Sequence, residues 1–151
     1  MKIHLRDVLS LSGRDYVVMG LVSVELAGQT SIVARAVDGD DVLWVESPPR
    51  LGPDTDGDRL LVLRAIHDLD LSAPPPESIS YHGVPFLLRR SGRARLTVSG
   101  EVPERAAGGT QMWRYRTAGD RHLQIEEAGG HLLMWAGEAV HRGMIDFLPG
   151  S

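Results

Sequence analysis

The chain has 151 residues, of which 42% are hydrophobic and 24% charged, with a formal charge of −4 and no cysteine. This composition fits one globular domain with a sizeable core and argues against general disorder. The mild negative charge gives no reason to expect nucleic acid, and the absence of thiols excludes disulfides, thiolate metal sites and cysteine nucleophiles.

Met1–Asp7 lacks the apolar run of a signal peptide, and no segment reaches the roughly 20 apolar residues of a membrane span. A cytoplasmic protein is therefore expected. Ser12-Gly13-Arg14-Asp15 is a turn cluster. From Tyr16 the chain alternates through Val18, Gly20, Val22, Val24 and Leu26, which predicts a long strand with those residues on one face. Ala27-Gly28 turns the chain and Thr30–Val37 returns it. Asp38-Gly39-Asp40 makes a second hairpin turn before Val42–Glu46, completing a three-stranded antiparallel meander.

Pro48-Pro49 and Gly52-Pro53 close this unit, because proline cannot continue a central strand. Arg59–Ile66 reads as a further strand, and Ala73-Pro74-Pro75-Pro76 as a stiff seam between halves at 7–72 and 77–148. Beyond the seam, Val84–Arg89 reads as a strand and Ser91-Gly92-Arg93 as the turn of an additional hairpin. Arg95–Val102, Met112–Thr117, Arg121–Glu126, His131–Trp135 and Ala139–Leu148 follow as strands.

Val18–Glu46 aligns without a gap on Val98–Glu126. Gly20, Ala27, Gly28, Gly39, Asp40, Leu43 and Glu46 fall on Gly100, Ala107, Gly108, Gly119, Asp120, Leu123 and Glu126. The expectation is a single all-β domain spanning 1–151. It would be built from two pseudo-repeated antiparallel meanders packed as a sandwich or a partly open barrel.

Glu46 and Glu126 are the leading polar pair. If the repeats meet about an axis, two close carboxylates would support acid–base work or hold a cation. A carboxylate that closes a strand more commonly anchors turn amides or pairs with arginine. His122 and Glu126 share a strand face, and His131 lies beyond the Gly129-Gly130 turn, which gives a weak alternative metal trio. The histidine spacing supplies no ready chelate, so neither a resident metal nor a cofactor is expected. Asp54-Thr55-Asp56-Gly57-Asp58 departs from a calcium loop in its glycine position and reads as a solvated turn.

Arg93 and Arg95, with Arg89 and Arg90, place positive charge around one turn, where they would grip an acidic partner or simply form the wet tip of a hairpin. Trp113 and Tyr115 share a face and would line a groove for a peptide or small amphipathic ligand, or else enter the core.

Several stretches together resemble a bacterial family known as domain of unknown function 4178. They are Gly13-Arg14-Asp15-Tyr16-Val17-Val18-Met19-Gly20, Leu43-Trp44-Val45-Glu46, Tyr81-His82-Gly83, Gly100-Glu101-Val102-Pro103, Leu123-Gln124-Ile125-Glu126 and Trp135-Ala136-Gly137. In Leu43-Trp44 the order of leucine and aromatic is reversed relative to the family pattern. The resemblance implies an accessory role beside bacterial envelope-stress proteins or aminopropyltransferase-like enzymes. The expected function is a non-catalytic binding or assembly module with a protein partner. The alternative is a small-molecule or metal-dependent enzyme using Glu46 and Glu126 with a histidine.

Overall fold

The computed structural model describes residues 2–47 and 58–150. The expectations for Pro48-Pro49, Gly52-Pro53 and Asp54–Gly57 lie outside the described residues. The first half supplies strands β1 (Val8–Leu11), β2 (Arg14–Leu26), β3 (Gln29–Asp38), β4 (Asp41–Ser47) and β5 (Arg59–Ala65). The second supplies β6 (Ser78–Tyr81), β7 (Val84–Gly100), β8 (Gly108–Arg116), β9 (Arg121–Ala128), β10 (His131–His141) and β11 (Ile145–Leu148). A short 3₁₀ turn, Arg142–Met144, separates the last two. Hence the strand expected over Ala139–Leu148 is broken in the middle.

Strands β2-β3-β4-β5-β10-β9-β8-β7 pair in succession, all antiparallel, and β7 pairs back onto β2. The eight strands form a closed barrel, which corrects the expected sandwich or partly open barrel. Closure leaves the wall without an edge, a more complete solution than two facing sheets. Strands β1 and β11 extend the sheet outside β2, while β6 extends it outside β7.

Over β4, β5, β8 and β9 the barrel wall is buried on both faces. Inside lie Val22, Val24, Leu26, Val33, Trp44, Leu61, Leu63, Ala94, Leu96, Met112 and Trp135. Leu43, Val45, Leu60 and Val62 point outward and are covered by Leu9, Tyr16, Val18 and Ile145. Trp113, Tyr115, Leu123 and Ile125 also point outward, beneath Ile79 and Phe86. The burial of every residue from Leu43 to Ser47, and from His122 to Glu126, follows from this double cover.

Two bulges make the cover possible. The register of β2 on β3 shifts between Val18 and Gly20, and that of β7 on β8 between Leu88 and Arg90. An extra residue in a strand reverses which face the later side chains take. Tyr16 and Val18 therefore pack in the outer core while Val22 and Val24 enter the barrel, so the single inward row expected from Tyr16 to Leu26 is corrected. Phe86 and Leu96 divide between outer core and barrel in the same way.

No hairpin forms at Ser91-Gly92-Arg93. Strand β7 runs unbroken for 17 residues, and Gly92 is accommodated within it. Strand β7 is longer than β2, and the loop 101–107 leads from it to β8. The turn at Ala27-Gly28 between β2 and β3 is far shorter. Gly20 lies within β2 whereas Gly100 ends β7, so the two glycines face each other across the β2–β7 pair but do not hold equivalent places in their strands.

Candidate functional site

The barrel interior holds a charged layer. Glu46 on β4 takes both arms of Arg114 from β8, at 2.8 and 2.7 Å. Glu126 on β9 accepts from Arg105 of the loop 101–107 at 2.5 Å and from Gln124 Nε2 at 3.2 Å. These four charged side chains are at most 2% exposed. Alternation along β4 puts Glu46 on the same face as Trp44, and alternation along β9 puts Glu126 on the face of Gln124 and His122. That face is the lumen. Each carboxylate thus has its own arginine.

His122 completes this layer. It is 3% exposed and its Nδ1 has no hydrogen-bond partner. Burial, aided by Arg116, pulls its pKa from 6.5 down to about 4 against the opposing pull of Glu46 and Asp120. The unfolded chain therefore takes up a proton near pH 6.5 that the folded chain accepts only near pH 4. Stability is expected to fall as pH drops through this window, by about 3 kcal/mol from this residue when the window is fully crossed. Urea midpoints of the wild type and His122→Gln between pH 7.5 and 4 check this. An equally steep decline in both would remove His122 as the cause.

His131 is exposed at the β9–β10 turn, away from this interior layer, so the trio His122, Glu126 and His131 does not assemble. Among the described residues no group of three or more metal-ligating side chains comes together. Trp113 and Tyr115 are 7% and 0% exposed and belong to the outer core, the second of the two readings above, so they line no groove. The Tyr115 hydroxyl donates to the Pro76 carbonyl at 2.9 Å and pins the proline-rich seam to that core. Arg93 and Arg95 are exposed along the middle of β7, with Arg95 opposite Glu25 of β2, so they form no turn-tip cluster.

The concave surface lies elsewhere. A cleft of about 570 Å³ runs over the outer face of the β5–β10 pair. Val62 and Arg64 of β5 and Ala136, Glu138 and Val140 of β10 form its floor. One wall is the β1–β2 hairpin, with Leu11, Ser12 and Tyr16, and the other is the β6–β7 hairpin, with Tyr81, His82 and Phe86. Ser12 and His82 both hold their turns with positive φ, 53° and 50°.

Polar groups in the cleft are firmly tied. Tyr16 donates to Asp41 at 2.6 Å, and Arg14 and Arg64 reach the same carboxylate at 3.0 and 3.2 Å. Hydrogen bonds from Arg64 and Tyr16 hold the Asp41 carboxyl below its usual range. On the opposite wall Tyr81 and His82 both bind Asp68, each at 2.6 Å. Burial and Asp68 push the Tyr81 phenol up to about 12. This gives an apolar and aromatic trough with two fixed polar clusters, within the size range of small-ligand sites. Sequence reading missed it because its walls come from hairpins far apart in the chain.

Taken as a class, this is an antiparallel barrel domain with an ion-paired interior and a cleft between two outer hairpins. The chain belongs to the family described as Domain of unknown function (DUF4178), whose model matches residues 5–142. No curated protein and no solved structure matches it. Among the described residues no helix is long and apolar enough to cross a membrane.

Proposed function

We propose that the protein is a non-catalytic binding module of the bacterial cytoplasm that seats its ligand, a segment of a protein partner, in the cleft between the two outer hairpins. One observation carries this reading. The carboxylates best suited to chemistry, Glu46 and Glu126, are locked to arginines inside a closed barrel, while the open concavity of about 570 Å³ lies outside it. Enzymatic use of Glu46 and Glu126 with a histidine would require substrate to displace a buried, bidentate ion pair, which is costly. The paired meanders read as a duplicated unit whose two hairpins have become the walls of one cleft. Envelope-stress proteins and aminopropyltransferase-like enzymes are the partner classes to test first.

The test uses methyl-labelled protein and solution NMR. Addition of a partner from either class is expected to shift the methyl signals of Leu11, Val62, Val84, Val140 and Met144 first. Glu138→Arg with Met144→Glu, both exposed positions, should weaken binding at least about tenfold and leave the fold intact. Shifts confined to another surface, or unaltered affinity in the double variant, would refute the cleft as the binding site.

A further inference from the structure

The loop 101–107 leaves β7 at Gly100 and joins β8 at Gly108, both with positive φ, 72° and 122°. Only two of its side chains, Val102 and Arg105, are buried. Arg105 enters the end of the barrel, with its guanidinium carbon 5.4 Å from the Trp44 ring centre and 5.0 Å from that of Trp135. The two indoles meet edge to face at 5.9 Å and 74°. Glu126 supplies the counter-charge. Two aromatic walls at a steep angle and an enclosed carboxylate favour an organic cation, since ring faces and carboxylate attract positive charge and water cannot screen them.

Arg105 fits this cage incompletely. Its Nε has no partner, and neither has Gln124 Oε1, although both atoms are buried. The two residues border one small gap beside Trp44, Glu46 and Trp135, and that gap is too small for a water molecule. The orientation of the Gln124 amide is set by the donation of its Nε2 to Glu126, so Oε1 remains an acceptor awaiting a donor. A free guanidinium, not held by the loop backbone, could turn a donor toward the acceptor that Arg105 leaves open.

There is also a way in. A second open cleft of about 380 Å³ shares Trp44 and Trp135 with the cage and is bordered by Asp40, Asp41, Arg64 and Glu104. Outside the barrel the loop is tied by Glu104 to Arg35, at 2.8 and 3.0 Å, and by the Glu101 amide to the Met19 carbonyl at 2.8 Å.

We propose that Trp44, Trp135, Glu126 and Gln124 form a binding site for a guanidinium-bearing ligand, which Arg105 occupies in the free protein and yields when its loop swings out. A guanidinium is favoured over a primary ammonium because its plane stacks on an indole and its several donors reach Glu126 and Gln124 together. The ligand's affinity for the wild type is lowered by the small fraction of molecules with the loop open. Removing Arg105 removes that handicap.

The probe is ethylguanidinium, followed by NMR on the indole N–H signals of Trp44 and Trp135, with Trp113 in the outer core as the internal control. Arg105→Ala should bind it at least about tenfold more tightly than the wild type. Adding Glu126→Gln, which also removes the carboxylate left unpaired, should abolish binding. A folded Arg105→Ala protein with no saturable shift, or one that binds as well after Glu126→Gln, overturns the site. Should Arg105→Ala fail to fold, Glu104→Ala frees the loop and leaves the cage intact. It is expected to bind several-fold more tightly than the wild type, and equal affinity would overturn the proposal. A short Gly-Arg-Gly peptide, run beside ethylguanidinium, separates a partner's arginine, which it should mimic with higher affinity, from a free small ligand, for which its affinity should be lower. Binding of neither by any of these proteins refutes both.

Discussion

Glu46→Gln is expected to lower the unfolding free energy by about 3–5 kcal/mol, because it leaves the Arg114 guanidinium charged in the barrel without its counter-ion. A lost neutral hydrogen bond would cost only about 1–3 kcal/mol, so the magnitude itself reports on the buried charge. Pairing Glu46→Gln with Arg114→Met removes the stranded cation and should recover most of the loss. Urea unfolding at pH 7 measures all three proteins and the wild type. A single-variant loss below about 1 kcal/mol, typical of an exposed ion pair, would mean that water reaches Glu46.

Gly137→Ala is expected to be at least as damaging. A Cβ at Gly137 would lie 1.8 Å from the Val62 carbonyl oxygen and 2.9 Å from the Leu63 Cα. Both obstacles are backbone of β5, so relief requires separating β5 from β10, one of the two seams where the halves of the chain meet. The expected loss is more than about 3 kcal/mol, above the usual range for overpacking. Amide hydrogen exchange should show it first in Leu60–Leu63 and Gly137–Val140. Near-wild-type protection there would show that the seam can yield.

The strands were legible in the sequence where one rule sufficed. Alternation marked β2, and Asp38-Gly39-Asp40 marked the β3–β4 hairpin, because each depends on neighbouring residues alone. The bulge near Met19 was not legible: it inserts a residue without breaking the hydrophobic pattern, so Tyr16 and Val24 looked alike though they occupy different cores. Ser91-Gly92-Arg93 has turn composition, yet pairing with β8 keeps it extended. Closure of the barrel was hidden because β2 and β7 meet across a large sequence separation.

Glu46 and Glu126 stood out as residues that the alternation places opposite a leucine face, which was sufficient to demand partners if that face were covered. The partners were harder to see. Arg114 shares the parity of the buried Met112 on β8, a local sign that this arginine points inward. Arg105 carried no such sign, since it sits in a loop whose only buried neighbour is Val102.

Glu46 and Arg114 also lie on opposite sides of the proline-rich seam, and this has a consequence for biosynthesis. As the chain leaves the ribosome, β2 to β5 emerge while the second half is still being translated. At that stage the nascent meander has no cation from β8 to set against Glu46, and β2 and β5 have no partners at the two seams. A first half that dried its inner face before β8 arrived would strand the Glu46 carboxylate without its cation, which is costly. Drying of the lumen is thereby deferred until β8 arrives, so one ion pair ties the final collapse to synthesis of the second half.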